Sequence, residues 1–244
     1  MAHAIFSPSS ADRWFKCPAS AYLNYQAEYT VGLPAATGTL IHSMTEMLLK
    51  NRLRDMTLRD YWLGRKEVIE DFEIEVDEEM VSCAEVYVDY IEKRQKELGA
   101  RRVIEEKVYL DEYSDKLFGT ADCILLAENR ICVIDLKSGK WVVDPFKNKQ
   151  LMIYALGALI RYGGSNADIT MELTIVQPKD KKSPIKTHEI SAPNLLHWGD
   201  TDLTKAVIAC DEESPQYNFG DHCRFCNAKA DCDEYKLNSE KKND

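Results

Sequence analysis

The sequence predicts an α/β fold in which a mixed central β-sheet is flanked by helices. Three observations point to it. Residues before about position 100 repeat apolar positions at helical spacing, interrupted by proline and glycine. Residues 102–138 alternate instead with period two, in three short runs. A helical stretch then separates those runs from two further ones, and a last helix leads into a cysteine-rich end.

Taken in order, Ser7-Pro8-Ser9-Ser10 can cap a helix that runs to about Tyr29, and Val31-Gly32-Leu33-Pro34 breaks it. A second helix covers residues 36–54, with Leu40, Met44, Met47 and Leu48 near one face. A third covers residues 77–98 and stops at Gly99. Residues 102–110 form a strand that places Ile104, Glu106, Val108 and Leu110 on one face. Strands at 119–127 and 130–138 are joined by a tight turn at Glu128-Asn129. Asp144-Pro145 marks a helix start, with aspartate as cap and proline in the first turn; that helix runs to about Tyr162 and stops at Gly163-Gly164. A strand at 169–177, a basic turn and a shorter strand at 185–190 follow, then a helix over 193–210. The polar tail 238–244 is expected to fray.

The 244 residues fit one large domain, or one with a small appendage. No apolar run reaches the roughly 18 residues of a membrane span. Residues 1–10 lack the basic and apolar regions of a signal peptide, so a cytoplasmic location is expected. A net charge of −10 argues against nonspecific coating of nucleic acid and leaves room for a local basic track. Acidic excess gathers in residues 67–97. Basic residues gather at Arg52, Arg54, Arg59, Arg65 and Lys66, at Lys137, Lys140, Lys147 and Lys149, and at Lys179, Lys181, Lys182 and Lys186. Each run reads first as a solvated face, but the middle one begins at a candidate active site. The eight cysteines are expected to be reduced or metal-bound. Cys83, Cys123, Cys132 and Cys210 lie in apolar segments and read as small core residues.

The candidate site comprises Gly119-Thr120-Ala121-Asp122 and Ile134-Asp135-Leu136-Lys137. On a strand, Asp135 and Lys137 share a side with Ile131 and Val133, while Ile134 and Leu136 face the other way. Charges there are costly unless paired or bound to a metal. An Asp–Lys ion pair accounts for the dipeptide pattern alone. A hairpin that brings Asp122 beside Asp135 supplies two carboxylates, which with a backbone carbonyl suit Mg²⁺ or Mn²⁺. Such a metal would polarise a phosphate, and Lys137 would orient a water or stabilise developing charge.

Cys223, Cys226 and Cys232 form a compact C-x2-C-x5-C set that needs a fourth ligand. Cys17, in Trp14-Phe15-Lys16-Cys17-Pro18, is the natural candidate. Zinc, with Cys17 or His222 completing the set, and an iron–sulfur cluster both remain open. Either would tie the two chain ends together and act structurally.

The Asp122, Asp135 and Lys137 set resembles the PD-(D/E)xK nuclease superfamily. The proline of its name is absent, since Ala121-Asp122 stands there, and Gly119-Thr120-Ala121-Asp122 is similar to the RecB-like branch. Gln150 and Tyr154, one helical turn apart, and Gly38-Thr39-Leu40-Ile41-His42 extend the likeness. The resemblance implies a restriction-endonuclease-like core in which His42, Asp122, Asp135 and the Leu136 carbonyl hold Mg²⁺ or Mn²⁺. It implies that Lys137 assists catalysis, that Gln150 and Tyr154 position the strand, and that Lys140, Lys147 and Lys149 contact phosphates. Glu46 would support His42, and Glu106 would assist the site or form a buried ion pair. One N-terminal cysteine with a C-terminal C-x2-C-x5-C resembles the iron-staple nucleases, among them RecB-like CRISPR adaptation nucleases and helicase-associated nucleases of the AddB type. By that resemblance Cys17, Cys223, Cys226 and Cys232 hold a 4Fe–4S cluster. The likeness runs from Cys17 to Cys232, and residues 150–159 look like those of uncharacterised phage and prophage proteins of this type.

The implied organisation is a staple from residues 1–35 and 211–237, a nuclease core over 36–210 with a helical insertion at about 55–99, and a flexible tail over 238–244. The implied activity is a metal-dependent DNA exonuclease that processes single- or double-stranded ends in recombination or repair, in the cytoplasm of a bacterial host. The resemblance implies work beside a strand-annealing protein or a helicase; no phosphate-binding G-x4-G-K-S/T occurs here, so any unwinding would come from a partner, and a homo-oligomer is compatible with it. A non-catalytic DNA-binding adaptor of the same fold and an RNA or defence nuclease are the alternatives.

Overall fold

The computed structural model describes residues 4–28, 30–52, 56–164 and 168–240. A 3₁₀ turn at Pro8–Ser10 leads into α1 (Ala11–Lys16) and α2 (Ser20–Gln26). The sequence predicts one helix here. Pro18 disfavours helical geometry at the residue before it, and Cys17 accordingly adopts φ −134°, ψ 87°. The predicted end, Tyr29, lies outside the described residues. Helix α3 (Leu33–Leu49) starts where the sequence predicts a break, because Pro34 fits a first helical turn. Its predicted end, Arg54, also lies outside the described residues.

Helix α4 (Leu58–Trp62) begins at Thr57, whose Oγ1 accepts from the Asp60 N–H at 3.1 Å. Strands β1 (Lys66–Ile69) and β2 (Phe72–Glu75) then pair antiparallel, so the stretch 55–99 is not wholly helical. Their period-two pattern is only four residues long on each strand, too short to stand out against neighbouring helices. Helix α5 (Glu78–Leu98) is capped by Asp77, which accepts from Met80 N–H at 2.8 Å, and ends at Gly99 with φ +59°.

The main sheet contains β3 (Arg101–Tyr109), β4 (Phe118–Ala127), β5 (Arg130–Leu136), β6 (Thr170–Val176) and β7 (Ile185–Ser191), in that spatial order. Only β5 and β6 run parallel. Helix α6 (Lys149–Tyr162) makes the crossover that a parallel pair requires. It starts later than Asp144-Pro145 predicts. Asp144 accepts from Phe146 N–H at 2.8 Å and closes a separate turn, Lys147 is left-handed at φ +53°, and Asn148 caps the helix through Leu151 N–H at 3.1 Å. Helices α7 (Ala192–Trp198) and α8 (Thr204–Asp211) are joined by a π-helical turn at Gly199–Leu203. Two 3₁₀ turns, Asp221–Phe225 and Asn227–Asp231, precede α9 (Asp233–Glu240), so residues 238–240 extend a helix rather than a frayed tail. Residues 241–244 lie outside the described residues.

One face of the sheet packs on α6, with α1, α7 and α8 around it; the other packs on α3, α4 and α5. Helix α6 is apolar almost all round, as a helix enclosed on both sides must be. Gly119 lets β4 approach its cover closely: a Cβ there would lie 2.8 Å from Pro8 and 3.0 Å from Tyr154. Cys83, Cys123, Cys132 and Cys210 are buried in these cores, and none of the eight cysteines forms a disulfide. Among the described residues no helix is long and apolar enough to cross a membrane.

Candidate functional site

The β4–β5 ladder ends at Cys123 opposite Ile134, so Asp122 and Asp135 are the next residues on adjoining strands. On its other edge β4 pairs Cys123 with Ile104 and Ala121 with Glu106, leaving Asp122 and Glu105 out of the ladder. Glu105 is left-handed there, at φ +54°. The kink reverses the parity of β3. Ile104 packs with the α3–α5 core, whereas Val108 and Leu110 pack with the α6 core, so the four-residue face predicted for this strand is split.

The result is a cluster with α3. The His42 Nδ1 lies 3.3 Å from Asp122 Oδ1, and Asp122 Oδ2 accepts from the Leu136 N–H at 2.8 Å. One ligand atom each from His42, Glu105 and Asp122 falls within 4.8 Å of the other two. Gly38 keeps α3 close to the end of β5, since a Cβ there would sit 3.1 Å from Ser138 Oγ.

Asp135 and Lys137 share a side of β5, as predicted. The Lys137 Nζ lies 2.8 Å from Asp135 Oδ2 and donates to Gln150 Oε1 at 2.7 Å. The Gln150 amide donates to Asp135 Oδ1 at 3.0 Å and makes a longer contact with the Tyr154 hydroxyl at 3.5 Å. Asp135 Oδ2 is buried, and its contact with the ammonium is a charge contact lacking hydrogen-bond geometry. Gln150 and Tyr154 thus meet the carboxylate–lysine pair, one turn apart on α6.

Burial sets the electrostatics. It pushes the Asp135 carboxyl up, with Asp122 reinforcing it and Lys137 opposing. It likewise pushes Glu105 up to about 7, again with Asp122 adding. At Asp122 burial is outweighed by His42, the Leu136 N–H and Lys137, and the carboxyl is lowered. Burial works against charge on His42, but Asp122 prevails and holds the imidazolium up to about 9. Lys137 is raised by Asp135 against its own burial. His42, Glu105 and Asp122, with their ligand atoms within 4.8 Å of one another and the Asp135 carboxylate nearby, are a donor set that suits a divalent cation.

Of the neighbouring residues, Glu106 takes the ion-pair role of its two expected ones, and Glu46 departs from its expected place. Glu106 turns away to accept from the Tyr162 hydroxyl at 2.7 Å and pairs with Arg161 Nε at 3.1 Å, whereas Glu105 joins His42. Strict alternation predicts the reverse, and the kink is the reason. Glu46 does not support His42: it pairs with Lys50 at 2.9 Å and Arg52 at 3.7 Å. Asp135 stands outside the His42–Glu105–Asp122 set and faces Lys137 and Gln150; Leu136 meets the set through its N–H. Gln177 was not anticipated either. It is fully buried, accepts from Val143 N–H at 3.0 Å and donates to the carbonyls of Gly139 and Trp141 at 2.9 and 2.7 Å. It thereby pins the loop that leaves Lys137.

Cys17, Cys223, Cys226 and Cys232 line one small cavity together with His222, although they come from opposite ends of the chain. The Asn218 N–H donates to Cys17 Sγ at 3.4 Å, and Cys223 Sγ donates to the Asn218 carbonyl at 3.9 Å. Burial raises the Cys226 thiol. Arg13 is buried beside this cavity: its Nη1 donates to the Phe225 carbonyl at 3.4 Å, and its Nε has no hydrogen-bond partner.

The fold and site define a mixed α/β protein with a five-stranded sheet, a half-buried histidine–carboxylate cluster and a neighbouring aspartate–lysine–glutamine network. The chain belongs to the family described as Protein of unknown function (DUF2800), whose model matches residues 3–243. A solved structure titled "Crystal structure of SSO0001" resembles it with a TM-score of 0.34 and 11% identity, over 80% of this chain and 85% of that one. A likeness of that degree carries no argument.

Proposed function

We propose that this protein is a metal-dependent DNA nuclease with a RecB-like, restriction-endonuclease-like core over residues 36–210. The observation that carries the reading is the meeting of Asp122, Asp135, Lys137 and Gln150, drawn from three elements, with Asp135 Oδ2 buried against the Lys137 ammonium at 2.8 Å. His42, Asp122, Glu105 and Asp135 would hold Mg²⁺ or Mn²⁺, which supplies Lewis acidity toward a phosphate oxygen when bound. Lys137 brings a fixed positive charge to the phosphate and can orient an attacking water. Gln150 fixes Lys137 and Asp135 against each other, which keeps the ammonium aimed. Tyr154 packs on Gly119 and holds α6 against β4. The biological substrate in this reading is a DNA end, processed in recombination or repair with a strand-annealing protein or helicase as partner.

The cysteine cavity is read as a metal staple of residues 1–35 and 211–237. The four thiols line one cavity, but among the described residues the three-ligand set within 4.8 Å is the histidine–carboxylate one. A single zinc, with Zn–S of about 2.3 Å, would have to draw the thiolates together, whereas the larger 4Fe–4S cluster would bind thiolates set further apart. Arg13, a buried cation facing Cys226 and Cys17, supports an anionic cluster as its counter-charge.

Asp135→Asn tests the catalytic assignment. The variant should lose DNA cleavage while retaining DNA binding; cleavage at the wild-type rate would overturn it.

A further inference from the structure

A groove of about 910 Å³ runs from Lys137 and Gln150, past the loop 141–149, to the cysteine-bearing segment 221–227. Its wall carries large aromatic rings turned to solvent, Trp141 at 72% exposed and Phe225 at 65%, with Phe146 and Tyr25 also exposed. The Arg224 guanidinium sits 4.8 Å from the Trp141 ring and 5.3 Å from the Phe225 ring, bridging the two. The loop bearing Trp141 is held in place, since the buried Gln177 side chain binds the backbone of Gly139, Trp141 and Val143. Six cationic side chains line the groove against three carboxylates; Arg13 is buried and Lys137, Lys16 and Lys149 are ion-paired, which leaves Lys147 and Arg224 to meet a phosphate. One of those carboxylates, Asp12, is already neutralised by Lys16 at 2.7 Å and Lys149 at 3.4 Å.

Aromatic platforms alternating with cations are the chemistry that recognises an unpaired nucleic-acid strand: rings stack on free base faces, and cations meet phosphates. Paired bases in a duplex offer no such face. We propose that the groove is a single-strand track in which Trp141 and Phe225 are stacking platforms, delivering one unpaired strand to Lys137. The delivery step rests on the nuclease reading; the binding of the strand does not.

The test uses the full-length protein carrying Asp135→Asn, titrated with a labelled short oligothymidylate and with a blunt duplex of the same length. Single strand should bind tighter than duplex and quench tryptophan emission, because Trp141 is the most exposed of the four tryptophans. Adding Trp141→Ala should weaken single-strand binding about tenfold or more and remove the quench. Trp141→Phe should restore most of the affinity without the quench. Duplex binding as tight as single-strand binding, or unchanged affinity in Trp141→Ala, would overturn the track. Cleavage by the Asp135-intact protein separates the two ideas. If Trp141→Ala binds and cuts single strands normally, the track fails and the nuclease stands. If strands bind through Trp141 but are never cut, the track stands and the nuclease reading fails.

Discussion

Glu105 bears two burdens in one residue: a left-handed backbone at φ +54° and a carboxyl raised to about 7 by burial and by Asp122. Such strain belongs where a cation is to be held. Glu105→Gln should therefore raise the melting temperature of metal-free protein by a few degrees, for about 1 kcal/mol of relieved repulsion. The same change should weaken Mn²⁺ binding about tenfold or more, so melts with and without Mn²⁺ should cross over. His42 sets a pH dependence of its own. Its folded value of about 9 lies above the ordinary 6.5, so its stabilisation is fully present below pH 6.5 and is lost as pH rises through about 9. Because the side chain is 32% exposed, the loss should be about 1–2 kcal/mol. Denaturant midpoints of metal-free protein at pH 6 and pH 9 should show it, and His42→Asn should flatten it; an unchanged slope in that variant would place its origin elsewhere. Asp135 and Lys137 are legible in the sequence from alternation on one strand, whereas Asp122, Gln150, Tyr154 and His42 are legible through the resemblance of their motifs. Glu105 is not. Its placement depends on a kink shared by two strands, and alternation alone chooses Glu106.

At the scale of elements, β6 is fastened to its neighbours through Glu172, a buried carboxylate held by Arg94 from α5, with Nε at 3.0 Å, and by Arg130 from β5, at 2.9 Å. Removing the shared anion leaves Arg94 with Glu97 and Arg130 with Glu189, so neither cation is stranded. Glu172→Ala should thus cost about 1–3 kcal/mol, read as a lowered denaturant midpoint, while a surface pair such as Lys66–Glu73 should cost under about 1 kcal/mol. The long elements could be read ahead of the structure: α5 has an Asp77 cap and a Gly99 stop, and β4 and β5 have a tight turn between them. Short-range competition hid the others. Pro18 divides one apolar stretch into α1 and α2, Asp144-Pro145 closes a turn rather than opening α6, and the β1–β2 hairpin is four residues deep.

Across the whole molecule, the cysteines at both ends meet at one cavity while the carboxylate cluster lies between the sheet and α3. On the proposed staple, Cys17→Ser should lower the metal content of the purified protein, lower its melting temperature and expose the C-terminal turns to protease, since α1 packs on 221–225 and α2 on 227–231. Iron and visible absorbance in the wild type are expected; a colourless protein containing zinc would refute the iron assignment. The cysteine spacing was legible because three of the cysteines lie within one short segment. The groove was not, because its rings and cations come from segments far apart in sequence that only the fold assembles. The most direct test of the central claim is a time course on end-labelled single- and double-stranded DNA with Mn²⁺ or Mg²⁺, comparing anaerobically purified wild type with Asp135→Asn. The account predicts shortening from an end by the wild type, blocked by EDTA and absent in the variant; equal cleavage by both proteins, or none by folded wild type in either metal, would contradict it.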